Sequence, residues 1–469
     1  MNLTDSNTSV TKPTIEAWYR SSDASDVPLL VKPRESLSGI GLVGNSLGTA
    51  RFDQPPDRRA ARARMTAMFR IAGLAMVLAT AGDETARSGW YQFRGPLRDG
   101  KSSETGLTRS FGPAGPKELW RVPIGGGFSS ISVASDRLYT MDSDGKTEFA
   151  LALDTATGRT LWRVPVGPIF HDLNGDGPRS TPTVDADLVF VLGSRGRLAA
   201  LRASTGETVW ETPITEAFGG ELPTWAFATA PLVDGDRLLV EVGGSGSRAI
   251  AALEKTTGAV VWTSQEANLA YSSPIPLELG GTKQFVFLLQ QKVVALDRDG
   301  RELWSVPFAP QLDIKPASPV FIAPDLILVS ASYDVGAKVV RLRTESTSVS
   351  AEEVWSGRQM RSHFGSAVAL DGRIYGFDTA TLRCLEASTG TSCWAKRGLG
   401  KGSLLYADGM FLVLSERGML VLVEATPEDY RELASHQVLD GRCWTPPSLS
   451  EGRLYLRNHT EMVAIDLRS

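Results

Sequence analysis

Oxygen-bearing side chains alternate in the segment DLNGDG, at residues 172–177. Asp172, Asn174 and Asp176 stand two residues apart, which is the spacing of the first ligands in Ca²⁺-binding loops. The twelfth position counted from Asp172 is Thr183, whereas an EF-hand loop needs a bidentate Glu there. The pattern therefore favours a polar turn that leads into a strand, with a weak Ca²⁺ site as the alternative.

Histidine and cysteine are scarce, which limits nucleophilic, metal and redox chemistry. The 469 residues include only four His and three Cys. The histidines are scattered, at His171, His363, His436 and His459. We therefore expect no Ser/His/Asp catalytic arrangement. Cys384 and Cys393 flank one predicted hairpin, where a disulfide and two free thiols fit equally well, and Cys443 is left without a partner.

One short segment recurs along the chain and indicates the elements that must position these groups. Its copies are LALDTATGRTLW (151–162), AALRASTGETVW (199–210), AALEKTTGAVVW (251–262), VALDRDGRELW (294–304) and RCLEASTGTSCW (383–394). Each copy has two short alternating runs around a Gly, which predicts a β-hairpin whose turn needs a positive φ. These turn glycines are Gly158, Gly206, Gly258, Gly300 and Gly390.

A second pair of short strands precedes each hairpin, so one repeat unit is four antiparallel strands. The predicted units span 128–162, 180–210, 229–262, 272–304, 317–355, 365–394, 402–434 and 445–467. The eighth has three strands, and KELWRVPIG (117–125) is available to supply the fourth. The sequence therefore predicts an all-β, eight-bladed β-propeller over 117–469, closed by its N-terminal strand, because closure removes exposed sheet edges.

Tryptophan recurs at the end of most predicted blades. These residues are Trp120, Trp162, Trp210, Trp262, Trp304, Trp355 and Trp394, and the seventh unit has Tyr430 and Leu433 instead. The spacing of 39 to 52 residues is typical of propeller blades. We expect these rings to pack between blades rather than to bind a ligand.

The N-terminal 81 residues differ from the rest. Residues 1–64 are polar and aperiodic, which predicts a disordered segment or an over-extended translation start, with Met65 or Met68 as the true start. Basic residues precede the apolar run from Ile71 to Ala81, so 65–81 is predicted to be a signal peptide, too short to span a membrane. Residues 82–116 are expected to form an N-terminal arm.

Charge excludes one class of partner. Residues 1–81 carry ten Lys or Arg and seven Asp or Glu, so removing this segment from a chain of net charge −4 leaves a net charge of −7. Nucleic-acid-binding proteins normally carry a basic excess. We therefore expect no nucleic-acid partner. Because the apolar run from Ile71 to Ala81 is too short to span a membrane, we also expect no membrane span in the mature chain.

The pattern Ala-Leu-Asp-x-x-Thr-Gly-x-x-x-Trp resembles the repeat of the pyrroloquinoline-quinone (PQQ)-like β-propeller family. The segments WYQFRGPLRDG (90–100), GDGPRSTPTV (175–184) and CWTPPSLSEGRLYLRN (443–458) are similar to secreted bacterial members. The family includes quinoprotein dehydrogenases and a non-enzymatic scaffold propeller of the outer-membrane β-barrel assembly machinery. The resemblance implies the fold, whereas it leaves the activity open.

The enzymatic branch of the family implies features that this chain lacks. Its alcohol dehydrogenases typically cover PQQ with a disulfide between adjacent cysteines, beside a Ca²⁺ held by Glu, Asn and Asp. No two cysteines here are adjacent, and no Cys-x-x-Cys-His motif attaches a haem. We therefore expect no catalytic residues and no cofactor. A PQQ- and Ca²⁺-dependent dehydrogenase acting on alcohols or sugars is the alternative.

Residues just before the innermost strand of each blade should point toward one mouth of the propeller. They are Phe128, Arg179, Ala228, Tyr271, Pro316, Gly365, Gly402 and Trp444, flanked by Phe227, Lys315, His363 and Lys401. Aromatic and cationic side chains on an acidic body suit a carboxylate, a planar ring or a peptide segment. The alternative is that the aromatic rings only fill the junctions between blades.

These observations together predict an exported, periplasmic or secreted bacterial propeller that binds or scaffolds other molecules. Its partners would be envelope proteins, or a small ligand at the mouth, and we expect a monomer. A partner could also add a strand to an outer blade edge. A polysaccharide-binding role through Trp225 and Trp444 is a third possibility.

Overall fold

A computed structural model describes residues 89–309, 315–333, 335–345 and 348–468. The predicted disordered segment or over-extended start at 1–64 and the predicted signal peptide at 65–81 lie outside the described residues. Within the described part, no helix is long and apolar enough to cross a membrane. The helix α1 (Ile214–Phe218) has five residues.

The described residues form eight four-stranded antiparallel sheets. The first four blades consist of β2 (Ser132–Ala134), β3 (Arg137–Ser143), β4 (Thr147–Asp154) and β5 (Thr160–Pro168); β6 (Thr183–Asp185), β7 (Leu188–Leu192), β8 (Arg197–Arg202) and β9 (Thr208–Pro213); β10 (Leu232–Asp234), β11 (Arg237–Gly244), β12 (Arg248–Glu254) and β13 (Val260–Ser264); and β14 (Ile275–Leu279), β15 (Thr282–Leu288), β16 (Lys292–Leu296) and β17 (Glu302–Pro307). The predicted blade order is confirmed.

The remaining blades follow the same plan. They consist of β18 (Val320–Ile322), β19 (Leu326–Ala331), β20 (Gly336–Glu345) and β21 (Ser348–Gly357); β22 (Val368–Leu370), β23 (Arg373–Asp378), β24 (Thr381–Glu386) and β25 (Ser392–Lys396); β26 (Gly402–Ala407), β27 (Met410–Ser415), β28 (Met419–Glu424) and β29 (Glu432–Gln437); and β30 (Ser448–Ser450), β31 (Arg453–Arg457), β32 (Glu461–Asp466) and β1 (Lys117–Pro123). The first strands of neighbouring blades contact one another, so these strands line the central channel.

The N-terminal strand closes the ring, as predicted. β1 lies antiparallel to β32, with Trp120 opposite Ala464 and Pro123 opposite Glu461. The last blade therefore takes three strands from the C-terminal end of the chain and one from the N-terminal side. This pairing leaves no gap between the first and last blades, and the eight-bladed β-propeller of four-stranded blades is confirmed.

The repeated Trp and Gly residues meet across blade boundaries. The indole Nε1 of Trp162 donates a hydrogen bond of 2.9 Å to the Ala203 carbonyl in the following blade. A Cβ on Gly206 would lie 2.9 Å from that ring. Equivalent indole–carbonyl bonds join Trp120 to Thr155, Trp210 to Lys255, Trp262 to Arg298, Trp355 to Ala387 and Trp394 to Thr426. Packing against the next blade and a hydrogen bond together make each ring a structural contact.

Trp304 departs from this rule. Its Nε1 bonds to Oε1 of Gln284, 2.8 Å away in the same blade. The next blade has a long β20–β21 hairpin instead of the short Gly-containing turn. The following blade therefore offers no matching Gly for this ring.

The antiparallel order of the strands gives the propeller two distinct faces. The connections between blades and the second turn of every blade lie on one face, which we call the mouth face; examples are 169–182 and 144–146. The first and third turns of every blade lie on the opposite face. This division decides which loop residues can meet.

The chain from residue 89 to 116 runs across the opposite face. The Trp90 carbonyl accepts a hydrogen bond from Val133 N in the first blade, and Ser102 N donates to Tyr406 in the seventh. Glu104 accepts hydrogen bonds from the amides of Glu451 and Gly452 in the eighth blade. The arm thereby ties the seventh, eighth and first blades together through its backbone and the Glu104 carboxylate.

Glu241 is a buried carboxyl group between strands of the third and fourth blades. It is 0% exposed, and neither carboxyl oxygen has a hydrogen-bond partner among the described residues. Burial raises its pKa well above the usual value. The folded protein therefore binds this proton more tightly than the unfolded chain does. Because deprotonation leaves a buried charge in the folded state, the free energy of unfolding falls as the pH rises above the usual pKa of Glu.

We expect Glu241→Met to raise the free energy of unfolding by about 1–3 kcal/mol at pH 8, because it removes an unpartnered buried polar group. The replacement mimics Met141, which occupies the matching strand position in the first blade. Urea unfolding between pH 4 and pH 8 checks this. The wild-type midpoint should fall with pH more steeply than that of the variant, and equal slopes would contradict the buried neutral carboxyl.

Candidate binding site at the propeller mouth

Three aromatic rings from three different connections stack in a row on the mouth face. The Phe364 and Trp444 ring centroids are 5.0 Å apart with planes inclined by 24°, and those of Trp444 and Phe128 are 5.8 Å apart with 26°. His459 meets Phe128 edge-on at 4.6 Å. We call Phe364, Trp444, Phe128 and His459 the aromatic row.

Trp444 lies at the centre of the aromatic row and is fixed there by a hydrogen bond from its indole. It lies in the connection between β29 and β30, and its Nε1 donates to Oε1 of Glu416 at 3.1 Å. Glu416 belongs to the second turn of the seventh blade. Because connections and second turns share the mouth face, the carboxylate fixes the indole from a neighbouring blade.

Cations surround the aromatic row. The Lys401 ammonium lies 5.6 Å and the Arg442 guanidinium 4.6 Å from the Trp444 ring centroid. Arg179 lies 5.5 Å from the Phe128 ring. Such cation–ring contacts are attractive and hold the charged groups beside apolar surface. Three cationic side chains therefore flank the aromatic row, alongside the carboxylates of Glu416 and Asp172.

Arg179 is held in place by the backbone of its own connection. Its guanidinium donates to the carbonyls of Gly177 at 2.7 Å and Gly175 at 3.2 Å. Its Nη2 lies 3.7 Å from the Asp172 carboxylate. Burial lowers the pKa of Arg179, and the carboxylate of Asp172 opposes that effect. These contacts fix its direction.

The two half-buried histidines of the mouth, His363 and His459, are uncharged at neutral pH. Burial, with a smaller effect of Lys401, lowers the pKa of His363 to about 3. Burial and nearby arginines lower the pKa of His459 to about 4. The His363 ring lies 5.8 Å from Trp444, and its Nε2 is 3.1 Å from the Tyr333 hydroxyl. Both rings therefore act as polar, neutral surface near pH 7.

The structure brings together five of the seven residues predicted to bind a ligand. They are Phe128, Arg179, His363, Lys401 and Trp444. Tyr271 stands on a neighbouring connection, where its hydroxyl accepts a hydrogen bond of 3.4 Å from Trp225 N. A ligand for these residues stays a prediction.

Lys315 and Phe227 differ from their expected placement at the mouth surface. Lys315 is fully buried, and its ammonium donates to the carbonyls of Leu289 and Gln290. Phe227 is buried against Gly196, where a Cβ would lie 2.9 Å from its ring. Both side chains connect neighbouring blades, because the chain turns inward before these innermost strands.

Sequence reasoning missed Phe364, His459, Arg442 and Glu416. Phe364 and Arg442 lie within two residues of predicted positions, so their place in the same connections is the sequence signal that points to them. His459 and Glu416 lie in second turns of their blades, and no local sequence signal places such turns beside the connections. That proximity follows from the strand order alone.

The DLNGDG segment uses its carboxylates within its own turn. Asp172 accepts a hydrogen bond from Asn174 N at 2.7 Å, and Asp176 accepts one from Asp172 N at 2.9 Å. The second Asp176 oxygen lies 2.8 Å from His171 Nδ1. In the described ranges, no three His, Cys, Asp or Glu side chains are grouped to hold a metal. The geometry is that of a polar turn.

The mouth also offers a poor fit to the Ca²⁺ that accompanies PQQ in the enzymatic branch. Ca²⁺ takes six to eight oxygen ligands, whereas Lys401, Arg442 and Arg179 surround the aromatic row. Cys384 is buried and Cys393 half-buried, both as free thiols in mutual contact across the β24–β25 hairpin. They lie within the sixth blade and away from the connections.

Comparison with known proteins identifies similar sequences. The profile of the family described as outer membrane protein assembly factor BamB matches residues 105–223 and 146–396. The BamB of Shewanella oneidensis is 29% identical over 206 residues, which are 43% of this chain and 49% of that protein. The match thus spans about half the length of this curated relative.

Solved structures share the fold at low sequence identity. BamB from Moraxella catarrhalis has a TM-score of 0.55 and 16% identity, covering 74% of this chain and 97% of its own. A quinohemoprotein alcohol dehydrogenase from Comamonas testosteroni has a TM-score of 0.60 and 14% identity, covering 81% of each chain. The BamB and the alcohol dehydrogenase are thus comparably similar to this chain in fold, so the function rests on the residues of the site.

Proposed function

This chain belongs to the family described as outer membrane protein assembly factor BamB, and from that premise we propose that it is a non-catalytic PQQ-like propeller that binds partner proteins in the cell envelope. The proposal includes export to the periplasm. It is supported by the family match, by the apolar segment at 65–81 and by the poor fit of the cationic mouth residues to Ca²⁺.

The aromatic row with its three cations is the observation that carries the proposal. Trp, Tyr and Arg are enriched among residues that dominate protein-binding energies. Trp444 and Phe128 are partly exposed on a rigid ring of blades, so their side chains lose little freedom on binding. Leu173, which is 64% exposed, and Leu222 extend the apolar surface on the neighbouring connections. A partner segment with apolar and acidic side chains would complement this surface.

Site-specific photo-crosslinking in cells tests which surface binds. p-Benzoylphenylalanine in place of Leu173 probes the mouth face, in place of Val260 the outer strand of the third blade, and in place of Leu97 the opposite face; all three side chains are exposed. We expect a discrete envelope-protein adduct from the Leu173 position. Adducts only from Val260 would favour strand addition at a blade edge and would overturn the mouth proposal.

Trp444→Ala should weaken binding of that partner by at least about 30-fold, which corresponds to roughly 2 kcal/mol for a central aromatic residue. Leu97→Ala on the opposite face is the matched control and should leave the affinity unchanged. Purified variants and titration calorimetry measure both. An unchanged affinity of the Trp444 variant would show that the aromatic row only fills the blade junctions.

Titration with PQQ and Ca²⁺ separates this proposal from the dehydrogenase alternative. We expect the purified protein to show no saturable quinone binding and no dye reduction with alcohols or sugars. Stoichiometric PQQ binding together with dye reduction would overturn the non-catalytic assignment.

A further inference from the structure

Two cysteines contact each other inside the sixth blade. Cys384 lies on β24, directly opposite Trp394 on β25, and Cys393 is the extra residue of a β-bulge at that point. Because two residues of a bulged strand face one residue of its partner, Cys393 stands beside Cys384. The two thiols are hydrogen-bonded to each other, so the sulfur atoms are already in contact.

The same bulge occurs in all eight blades, which gives the cysteine pair an internal comparison. In the other seven blades the extra residue is aliphatic: Leu119, Leu161, Val209, Val261, Leu303, Val354 and Leu433. The residues that they face are, in the same order, Ala464, Ala152, Ala200, Ala252, Ala295, Val339 and Leu422. Among these eight described blades, only the sixth has cysteine at either position, and it has cysteine at both.

Packing alone does not account for this pair. Cys384 is 0% exposed and packs in the core of its blade with Tyr375, Trp394 and Phe411. A buried free cysteine behaves as a small apolar residue, and aliphatic side chains fill the same positions in the other blades. Two thiols in contact can in addition form a covalent bond. The joint occurrence of cysteine at both positions therefore points to chemistry between the two sulfurs.

The two thiols differ in exposure, which sets the order of a reaction with an external disulfide. Cys393 is half-buried on the outermost strand of the blade, whereas Cys384 is buried on the strand inside it. Burial raises the pKa of Cys384, and its hydrogen bond to Cys393 acts in the same direction. Since the thiolate is the nucleophile, Cys393 meets an external disulfide first and Cys384 reacts second.

We propose that Cys384 and Cys393 form a disulfide that joins the two outer strands of the sixth blade in an oxidising compartment. The Cys393 thiolate attacks a small disulfide such as oxidised glutathione and displaces one glutathione thiolate. The Cys384 thiolate then attacks the Cys393 sulfur of this mixed disulfide and releases the second glutathione. The two electrons lost by the cysteines reduce the donor disulfide, and their two protons end on the two glutathione thiols.

In the cell this modification rests on the proposed export, because disulfides persist in the periplasm and are kept reduced in the cytoplasm. The ability of the two cysteines to pair is a property of the folded chain itself. The bond would close the loop 384–393 and restrict the unfolded chain, which stabilises the folded blade.

Peptide mapping of the purified full chain tests the pairing. The reduced protein is incubated with oxidised glutathione, and its remaining thiols are blocked with N-ethylmaleimide in denaturant. Trypsin cuts after Arg383 and Lys396 and so releases both cysteines in one peptide, 384–396. We expect this peptide to carry an internal disulfide and no maleimide. Cys443, which lies in the connection between β29 and β30, should carry one maleimide.

The other blades supply matched variants. Cys384→Ala and Cys393→Val each introduce the residue that other blades have at that position, so both variants should fold. Oxidised glutathione should raise the thermal unfolding midpoint of the wild type by about 2–4 °C and leave that of either variant unchanged. Cys443→Ala is the control and should keep the wild-type response. If a variant does not fold, the peptide map of the wild type still decides the question.

Three results would overturn the inference: two blocked thiols in peptide 384–396 after excess oxidised glutathione, a glutathione adduct that stays on Cys393, or a disulfide from either cysteine to Cys443. Trapping of thiols with N-ethylmaleimide in living cells separates this inference from the proposed export. A chain that pairs its cysteines when purified but keeps them reduced in cells would support the pairing and contradict the export.

Discussion

Gly258→Ala should destabilise the protein by about 2–5 kcal/mol, whereas Gly281→Ala should cost only about 1–2 kcal/mol. Both glycines have nearly the same positive φ, +74° and +75°, so both substitutions incur the cost of an L-residue in the left-handed region. Only at Gly258 would the new Cβ lie 2.7 Å from another group, the Trp210 ring of the preceding blade. That overlap adds about 1–3 kcal/mol.

Urea unfolding of the two variants measures the difference. A double-mutant cycle with Trp210→Leu isolates the contact, because removing the indole should reduce the cost of Gly258→Ala to the conformational part. Equal destabilisation by Gly258→Ala and Gly281→Ala would mean that the glycine serves its own turn only. The proposed role in blade-to-blade packing would then be wrong.

Arg457→Met should destabilise the protein by about 3–5 kcal/mol, because Arg457 joins the last blade to the first. Its buried guanidinium donates to the Met141 carbonyl at 2.7 Å, the Thr140 hydroxyl at 3.0 Å and the Gly125 carbonyl at 3.0 Å. Methionine fills a similar volume but leaves these acceptors without a donor. Burying unsatisfied acceptors is more costly than losing a solvent-exposed bond.

Thermal unfolding and hydrogen exchange check this expectation. Amides in β1 and β32 should lose protection first, since these strands complete the ring beside Arg457. Arg373→Met is the control, because Arg373 pairs with Glu386 within one blade and is partly exposed, where ion pairs contribute about 0–1 kcal/mol. Similar destabilisation by both variants would show that closure does not depend on Arg457.

The fold was predictable because its signals are local and repeated. Alternating apolar residues and a turn glycine such as Gly158 define each hairpin, and counting the units gave eight blades with one strand missing at the C-terminal end. The segment around Trp120 was the only unpaired strand of the right type. Closure then followed from the cost of open sheet edges.

For the repeated residues, the sequence predicts the backbone conformation but not the contacts with the neighbouring blade. The sequence indicates a positive φ at Gly206, which the structure has at +76°. It does not show that the Trp162 ring occupies the space where a Cβ would stand. That requirement comes from the neighbouring blade, about 40 residues away in sequence, and no local pattern contains it.

In the candidate site, too, the sequence predicts which residues lie on one face but not which side chains meet there. The sequence determined which residues precede the innermost strands, and so placed Phe128, Arg179 and Trp444 on one face. Only the tertiary structure decided that Phe364 stacks on Trp444 while Lys315 turns inward to backbone carbonyls. Strand periods are set by backbone geometry, whereas side-chain directions in irregular connections are set by packing against other blades.

The structural role of the N-terminal arm was the feature that the sequence predicted least well. The segment WYQFRGPLRDG gave only a family resemblance, and its arginines carried no visible role. The structure places Arg94 and Arg98 in the channel because backbone carbonyls from several blades converge there. The sequence by itself thus determined the number, order and closure of the blades through local periodicity. The tertiary structure alone decided where charge and aromatic surface come together, because most of those contacts join residues tens to hundreds of positions apart.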